Sequence, residues 1–247
     1  MEFVNVTLSG DEENYIIPFG DVHIGDPCFS EAIFDEIIEK AKMDNVYLLL
    51  VGDLINNALK NSKSDVYKDT LEPMEQVKTI IKKLMPVRDK IIGLVAGNHE
   101  DRTSKECGID LSELIAEKLE IPYSNSTMYL QIKSGKYGTG FNNYTIFCAH
   151  GNGGGGTKGS KANKLHSLSN LAVADIYCMG HIHDSIVFSD QIYLPDTRHN
   201  KVSMKKRYYM SSGSCLTYGG YGEKLLLRPG SSTYPIIKLG NTVNILY

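Results

Sequence analysis

The chain has no apolar run approaching the roughly 18 residues that a membrane-crossing helix needs. Its first residues, MEFVNVTLSGDEEN, are acidic and lack the apolar core of a secretory leader. Cysteine is present but not in any useful arrangement: Cys28, Cys107, Cys148, Cys178 and Cys215 are odd in number, scattered and never in C-x-x-C spacing. That excludes a disulfide framework and a cysteine-held structural zinc. Positive charge is not in excess either. The net charge of −3 rules out a broad polycationic surface, so any contact with nucleic acid would run through a local patch or through metal ions. Together these absences predict a soluble cytoplasmic protein with no membrane partner, its cysteines serving as small core residues in a reducing compartment. No repeat, linker or charge block divides the sequence, and residues 1–247 read as a single domain long enough to bury a large core.

What is present is a set of short apolar runs that end abruptly. NYIIPFGDVH breaks at Gly20-Asp21, VYLLLVGDL at Gly52-Asp53, and KIIGLVAGNHED at Gly97-Asn98-His99. Continuous apolar runs of this length suit strands covered on both faces. Helical patterns lie between them. SEAIFDEIIEKAK opens with Ser30 as N-cap and lines Ile33, Phe34, Ile37 and Ile38 along one face. DVYKDTLEPMEQVKTIIKKLMP reads as a longer helix, kinked or interrupted at Pro73 and stopped by Pro86. The resulting β-α-β-α-β order predicts a largely parallel sheet with helices outside. A further helix is expected through DLSELIAEKLE, then strands in STMYLQIKSG, NNYTIFCAHG and LAVADIYCMGH. Beyond residue 186 the runs SIVFSDQIYL, KRYYMSSGS and YPIIKLGNTVNILY suggest short, mostly antiparallel strands. The expected class is α/β, with two sheets packed together.

The placement of histidine and aspartate carries the functional signal. Of the seven histidines, His23, His99, His150, His181 and His183 stand at or just beyond predicted strand ends, as do Asp21, Asp53 and Asn98. In α/β sheets, binding sites form outside the carboxyl ends of the strands. Carboxylates, imidazoles and one amide oxygen, without a thiolate, favour Mn, Fe or Zn bound for catalysis. Seven ligands exceed what one ion takes from protein while leaving room for substrate. Two ions about 3.5–4 Å apart, bridged by a carboxylate, would use them all and leave open positions. Each residue has a bland alternative: Asp21 and Asp53 as helix caps, Asn98 as a turn former, His150 as a satisfied core histidine. Those alternatives are independent and would all have to hold at once.

The blocks GDVH, GD, GNHE, AHG and GHIH, in this order over roughly residues 16 to 185, resemble the signature blocks of the calcineurin-like metallophosphoesterases. The resemblance implies a four-layer α/β/β/α sandwich with two mixed β-sheets and a dinuclear metal centre. It assigns Asp21, His23 and His183 to one ion, Asn98, His150 and His181 to the other, and Asp53 as the bridge. Mn²⁺ is the expected metal, with Fe, Zn, Ni or Mg as alternatives, and a water between the two ions is the expected nucleophile. His99 would contact the phosphate and protonate the leaving oxygen. The serine/threonine phosphatases of the family carry an aspartate and then an arginine where this chain has Asn56 and Asn57. That departure argues against a protein phosphatase.

Two stretches bear on the substrate. HGNGGGGTKGSKANK follows a predicted ligand, and its Asn152, Gly154 and Lys158, with Lys161 or Lys164, either wrap an anion or form a plain connector. The G-x-x-x-x-G-K-[ST] spacing of a P-loop is absent. RHNKVSMKKRYY, which includes Arg207, and the following Tyr218 and Tyr221 offer phosphate contact and base stacking, or else a solvated hairpin. His166 and His199 have no motif around them and read as surface residues. The expected function is a dimetal phosphoester hydrolase, similar to the small stand-alone phosphoesterases of bacteria and phages, favouring a phosphodiester in a nucleotide or nucleic acid. The alternatives are a phosphomonoesterase acting on nucleotides or small phosphates, and a non-catalytic scaffold of the same fold.

Overall fold

The computed structural model describes every residue except 10–12, 63–64, 138–139, 154, 225 and 227. The first half contains β1 (Glu2–Thr7), β2 (Asn14–Phe19), α1 (Glu31–Ala41), β3 (Val46–Leu50), α2 (Pro73–Leu84) and β4 (Ile91–Val95). Then follow α3 (Asp101–Cys107), α4 (Leu111–Leu119), β5 (Tyr123–Ser124), β6 (Thr127–Tyr137) and β7 (Gly140–Ala149). The last part holds α5 (Lys158–His166), β8 (Ile176–Met179), β9 (Val187–Asp196), β10 (Lys201–Ser211), α6 (Gly220–Lys224), β11 (Ile236–Leu239) and β12 (Val243–Leu246).

The strands form two mixed sheets, ordered β12-β11-β2-β3-β4-β5 and β1-β6-β7-β8-β10-β9. In the first, β2 through β5 run parallel and β11 joins antiparallel to β2. In the second, β7, β8 and β10 run parallel, with antiparallel neighbours β6 and β9.

Side chains alternate across each strand and so define the layers. Ile17, Phe19, Leu48 and Leu50 turn outward onto α1, α2 and α4, where Phe34, Ile37, Val77, Ile80 and Ile115 complete a buried cluster. Ile16, Leu49 and Val51 turn the other way and meet Met128, Leu130, Ile146, Cys148, Ile176 and Cys178 of the second sheet. On that sheet's outer face, Phe147, Tyr177, Met179 and Tyr209 pack on Leu165 and Leu168 of the α5 region. Three apolar interlayers separate four layers, α/β/β/α. Cys148 and Cys178 are buried as thiols, as their apolar runs in the sequence predict, and Cys215 is buried as well; Cys107 is exposed and Cys28 half-buried, so the core reading fails for these two.

Local sequence accounts for the element ends. The Ser30 hydroxyl caps α1 by accepting from the Ile33 amide at 3.5 Å, and the Asp110 carboxylate caps α4 by accepting from Glu113 at 3.0 Å. The expected long helix before β4 is shorter than its apolar pattern suggests. α2 begins at Pro73, because proline's missing N–H and fixed φ suit the first helical position. The chain also passes Pro86 as a 3-10 turn, Met85–Lys90, instead of stopping there. Several elements escape the sequence pattern: β5 and α6 are very short, α3 buries no residue and so has no apolar stripe, and β1 is an edge strand with half-exposed alternation. Among the described residues no helix is long and apolar enough to cross a membrane.

Candidate metal centre

The five strand ends after β2, β3, β4, β7 and β8 meet in one place, and their backbone is strained there. Asp21, His23, Asp53, His181 and His183 have φ of +51°, +54°, +52°, +69° and +48°. Such left-handed conformations cost non-glycine residues roughly 1–3 kcal/mol each and persist only where surroundings enforce them. Backbone bonds enforce them here: Asp21 N–H donates to Gly52 O at 3.0 Å, His23 N–H to Asp53 O at 3.1 Å, and Cys215 N–H to Asp21 O at 3.0 Å. Glycine in the GNHE block has a steric cause. A Cβ on Gly97 would lie 2.0 Å from the Asp53 backbone nitrogen, so the two loops approach only because that side chain is missing.

The side chains gather into two donor groups that share Asp53: Asp21, His23, Asp53 and His183, and Asp53, His150 and His181, the ligand atoms of each lying within 4.8 Å of one another. In the first group His183 Nε2 stands 3.4 Å from Asp21 Oδ1 and 3.1 Å from His23 Nε2. In the second, His150 Nε2 is 3.2 Å from Asp53 Oδ2. Asn98 belongs here as well, its Oδ1 lying 2.6 Å from His181 Nδ1 and 3.0 Å from His150 Nε2. All seven residues picked out in the sequence therefore stand together. Outer partners orient them: His150 Nδ1 donates to Val51 O at 2.7 Å, His181 N–H to Asp21 Oδ1 at 2.9 Å, and Ser212 Oγ–H to Asp21 Oδ2 at 3.0 Å.

The electrostatics fit divalent cations. Burial and the adjacent imidazoles of His99 and His183 push His23 well below the ordinary histidine range, and its buried Nδ1 has no hydrogen-bond partner. Burial and His150 lower His181. His150 and His183 go the other way. Burial disfavours their charge, yet the Asp53 carboxylate lifts His150 to about 10 and the Asp21 carboxylate raises His183. Burial works against the charge of Asp53, but the imidazoles around it hold its carboxyl well below the usual range. Two buried carboxylates thus demand positive charge beside them, which protons on two histidines supply and which metal ions would supply while displacing those protons. Two carboxylates, four imidazoles and an amide oxygen suit Mn, Fe or Zn.

His99 sits at the rim. Its backbone N–H donates to Asp53 Oδ1 at 2.9 Å, and its Nε2 is 3.7 Å from Asp53 Oδ2. Nδ1 is 2.7 Å from Asn56 O, and Nε2 is 2.8 Å from an Arg102 guanidinium nitrogen. A carbonyl only accepts and a guanidinium only donates, so Nδ1 carries the proton and Nε2 is the acceptor. Burial, with Arg102 contributing, lowers the His99 pKa to about 4 despite Asp53. Asn56 does not supply the missing aspartate's charge. Its amide donates to Asp69 Oδ1 at 2.6 Å, and Asp69 in turn takes a bond from Gln76 at 2.9 Å. Asn57 donates to His99 O at 2.7 Å.

Two residues with roles here were not apparent from sequence. The buried Glu100 carboxylate accepts from three successive backbone N–H groups, Asp53 at 3.2 Å, Leu54 at 2.6 Å and Ile55 at 3.1 Å, and so clamps the loop that carries Asp53. Burial and the nearby Asp53 raise its pKa to about 7. Arg102 lies one helical turn beyond His99, and only that i, i+3 spacing could have pointed to it.

The substrate candidates disperse. Lys158 and Lys161 approach the two carboxylate oxygens of Asp184, next in sequence to His183, at 3.9 and 3.4 Å. Asn152 is exposed, and Gly154 lies outside the described residues. Arg207 is a correction. It is buried on the outer face of the second sheet, its Nε donating to Asp190 at 2.8 Å and its guanidinium stacked 5.6 Å from the Tyr209 ring. Charge pairing across the β9–β10 ribbon, not substrate, occupies it. His166 and His199 are exposed beside Asp190 and Asp196.

The model of the calcineurin-like phosphoesterase family matches residues 16–204, and the chain belongs to that family. No curated protein matches its sequence significantly. Among solved structures it is similar to a conserved uncharacterized protein of Streptococcus pneumoniae TIGR4, with 15% identity over 96% of this chain and 91% of that one and a TM-score of 0.40. A Vps29 single mutant from Entamoeba histolytica matches with 16% identity over 94% and 89% and a TM-score of 0.44. A metallophosphoesterase from Sphaerobacter thermophilus matches with 14% identity over 94% and 88% and a TM-score of 0.41.

Proposed function

We propose that this protein is a cytoplasmic phosphoester hydrolase that depends on two divalent ions, Mn²⁺ foremost. The observation that carries this is the position of Asp53 in both donor groups, which is what a bridged pair requires. When bound, such a pair supplies Lewis acidity and an acidified water. Asp21, His23 and His183 would hold one ion, Asn98, His150 and His181 the other, and Asp53 would serve both. The chain's own residues do the rest. Glu100 and the strained strand ends keep the ligands in place before substrate arrives, which spares reorganisation during the reaction. His99 contacts the phosphoryl group through Nε2 and serves the leaving oxygen. Acting as an acid requires the charged imidazole, a form that an adjacent phosphoester anion favours.

For the substrate, the absence of an aspartate–arginine pair at Asn56 and Asn57 supports a phosphodiester, in a nucleotide or nucleic acid, over a phosphoprotein. Arg102, Lys158 and Lys161 near the cluster support a second reading, a phosphomonoester whose dianion meets more positive charge. Hydrolysis of bis-p-nitrophenyl phosphate and p-nitrophenyl phosphate, with Mn²⁺ and with EDTA, tests both. Metal-dependent turnover of the diester, lost in His99→Ala, is the expected result. Preferred turnover of the monoester selects the second reading, and no turnover of either overturns the hydrolase.

A further inference from the structure

In this sequence the positions where related phosphatases carry a charged pair are both asparagines, Asn56 and Asn57, and no arginine lies in that loop. The fold nevertheless brings a guanidinium to the spot. Arg102, in the first turn of α3, reaches across from the GNHE segment and donates through Nη1 to Asn56 O at 3.0 Å and to Asn57 O at 3.3 Å. Its Nη2 donates to His99 Nε2 at 2.8 Å. The side chain is partly buried, and the loop it braces is fixed from behind by Asp69, Gln76 and Thr103. The fork is therefore oriented before any ligand arrives. It is aimed at the nitrogen that lies 3.7 Å from Asp53, at the open edge of the cluster.

We infer that Arg102 is a substrate-contacting residue, replacing from α3 the guanidinium that the loop after Asp53 lacks. This rests on the hydrolase reading above. The planar fork of arginine matches two phosphoryl oxygens at once, whereas its bonds to the two loop carbonyls hold the fork's edge in register. A phosphoryl oxygen arriving at His99 Nε2 takes its hydrogen bond from the same Nη2 that now donates to the imidazole. His99 is thereby released to the substrate while Arg102 keeps hold of the anion. A bracing role alone would need only the carbonyl contacts, and would not require the second nitrogen to cover the rim histidine.

The test is calorimetry of inorganic phosphate binding to the Mn²⁺-loaded protein, with Mn²⁺ affinity measured beside it. Arg102→Met is expected to weaken phosphate binding about tenfold to a hundredfold, the worth of a charge-assisted bond, with Mn²⁺ affinity unchanged. Arg102→Lys keeps the charge but not the fork and is expected to fall between. Thr103→Val loosens the same loop by removing its bond to Asn57, at 2.9 Å, without touching the fork, and is expected to bind phosphate like wild type. If Arg102→Met binds phosphate as tightly as wild type, or if Thr103→Val weakens it equally, Arg102 is only a brace. Wild-type ester hydrolysis beside such a result would overturn the assignment of Arg102 alone. A wild-type protein that neither binds phosphate nor turns over either ester overturns the hydrolase reading as well. Should Arg102→Met not fold, an Arg102→Lys variant with wild-type phosphate affinity contradicts the proposed fork.

Discussion

The strand ends around Asp53 and the β9–β10 ribbon both concentrate charged side chains, and they use them in opposite ways. On the ribbon several charges are met locally. Arg207 stands directly opposite Asp190 in the strand register, Lys201 opposite Asp196, and Lys205 reaches Asp175 at 2.8 Å. At the strand ends the carboxylates of Asp21 and Asp53 face imidazoles, and the backbone that presents them is strained. Cross-strand pairs of opposite charge stabilise a sheet by a few tenths of a kcal/mol to about 1 kcal/mol and end there. A buried cluster whose carboxylates are met by imidazoles is poised for ions brought from outside, which would take the place of the imidazole protons.

The largest effect that would sharpen this contrast is expected for Asp53→Asn. Removing the shared ligand should reduce hydrolysis by more than about a hundredfold, beyond the loss that outer-shell partners alone produce, as read by steady-state kinetics with saturating Mn²⁺. Next comes Glu100→Ala. It leaves three buried N–H groups without an acceptor and should destabilise the fold by about 3 kcal/mol, measured by urea denaturation.

On the ribbon, Arg207→Met should cost only about 1–2 kcal/mol and leave turnover untouched. Its hydrogen bond to Arg207 holds the Asp190 carboxyl below the usual range. The pair's stabilisation is therefore present at neutral pH and lost as acid protonates Asp190, and the stabilities of wild type and Arg207→Met should converge at low pH. A loss of activity in that variant would break the comparison. The smallest effect is expected for Tyr193→Ser, a residue 77% exposed near the tip of the ribbon, within about 0.5 kcal/mol of wild type.

The same contrast explains what could be read in the sequence. β2, β3, β4, β7 and β8 are covered on both faces over much of their length, so each writes an uninterrupted apolar run, and a glycine-plus-polar break at its end marks the site. That made the two packed sheets and the seven clustered residues legible, while the four-layer order follows from the resemblance to the calcineurin-like metallophosphoesterases. Arg207 was misread because its partner lies across a hairpin whose register no local pattern discloses. α3 was missed because it buries nothing. Glu100 and Arg102 were visible as residues but not as roles, since both act by reaching back to the loop after Asp53, a contact made only when two strand ends are neighbours. Pro73 reads in the sequence as a break within a helix, because the apolar pattern does not show that the helix starts there.

The most direct test is the stoichiometry of Mn²⁺ binding by calorimetry on wild-type protein and Asp53→Asn. Two ions per chain in the wild type, with both lost or much weakened by the single substitution, is the predicted result, because one carboxylate serves both groups. Undiminished binding of two ions in Asp53→Asn, or no binding to the wild type, would contradict the shared centre.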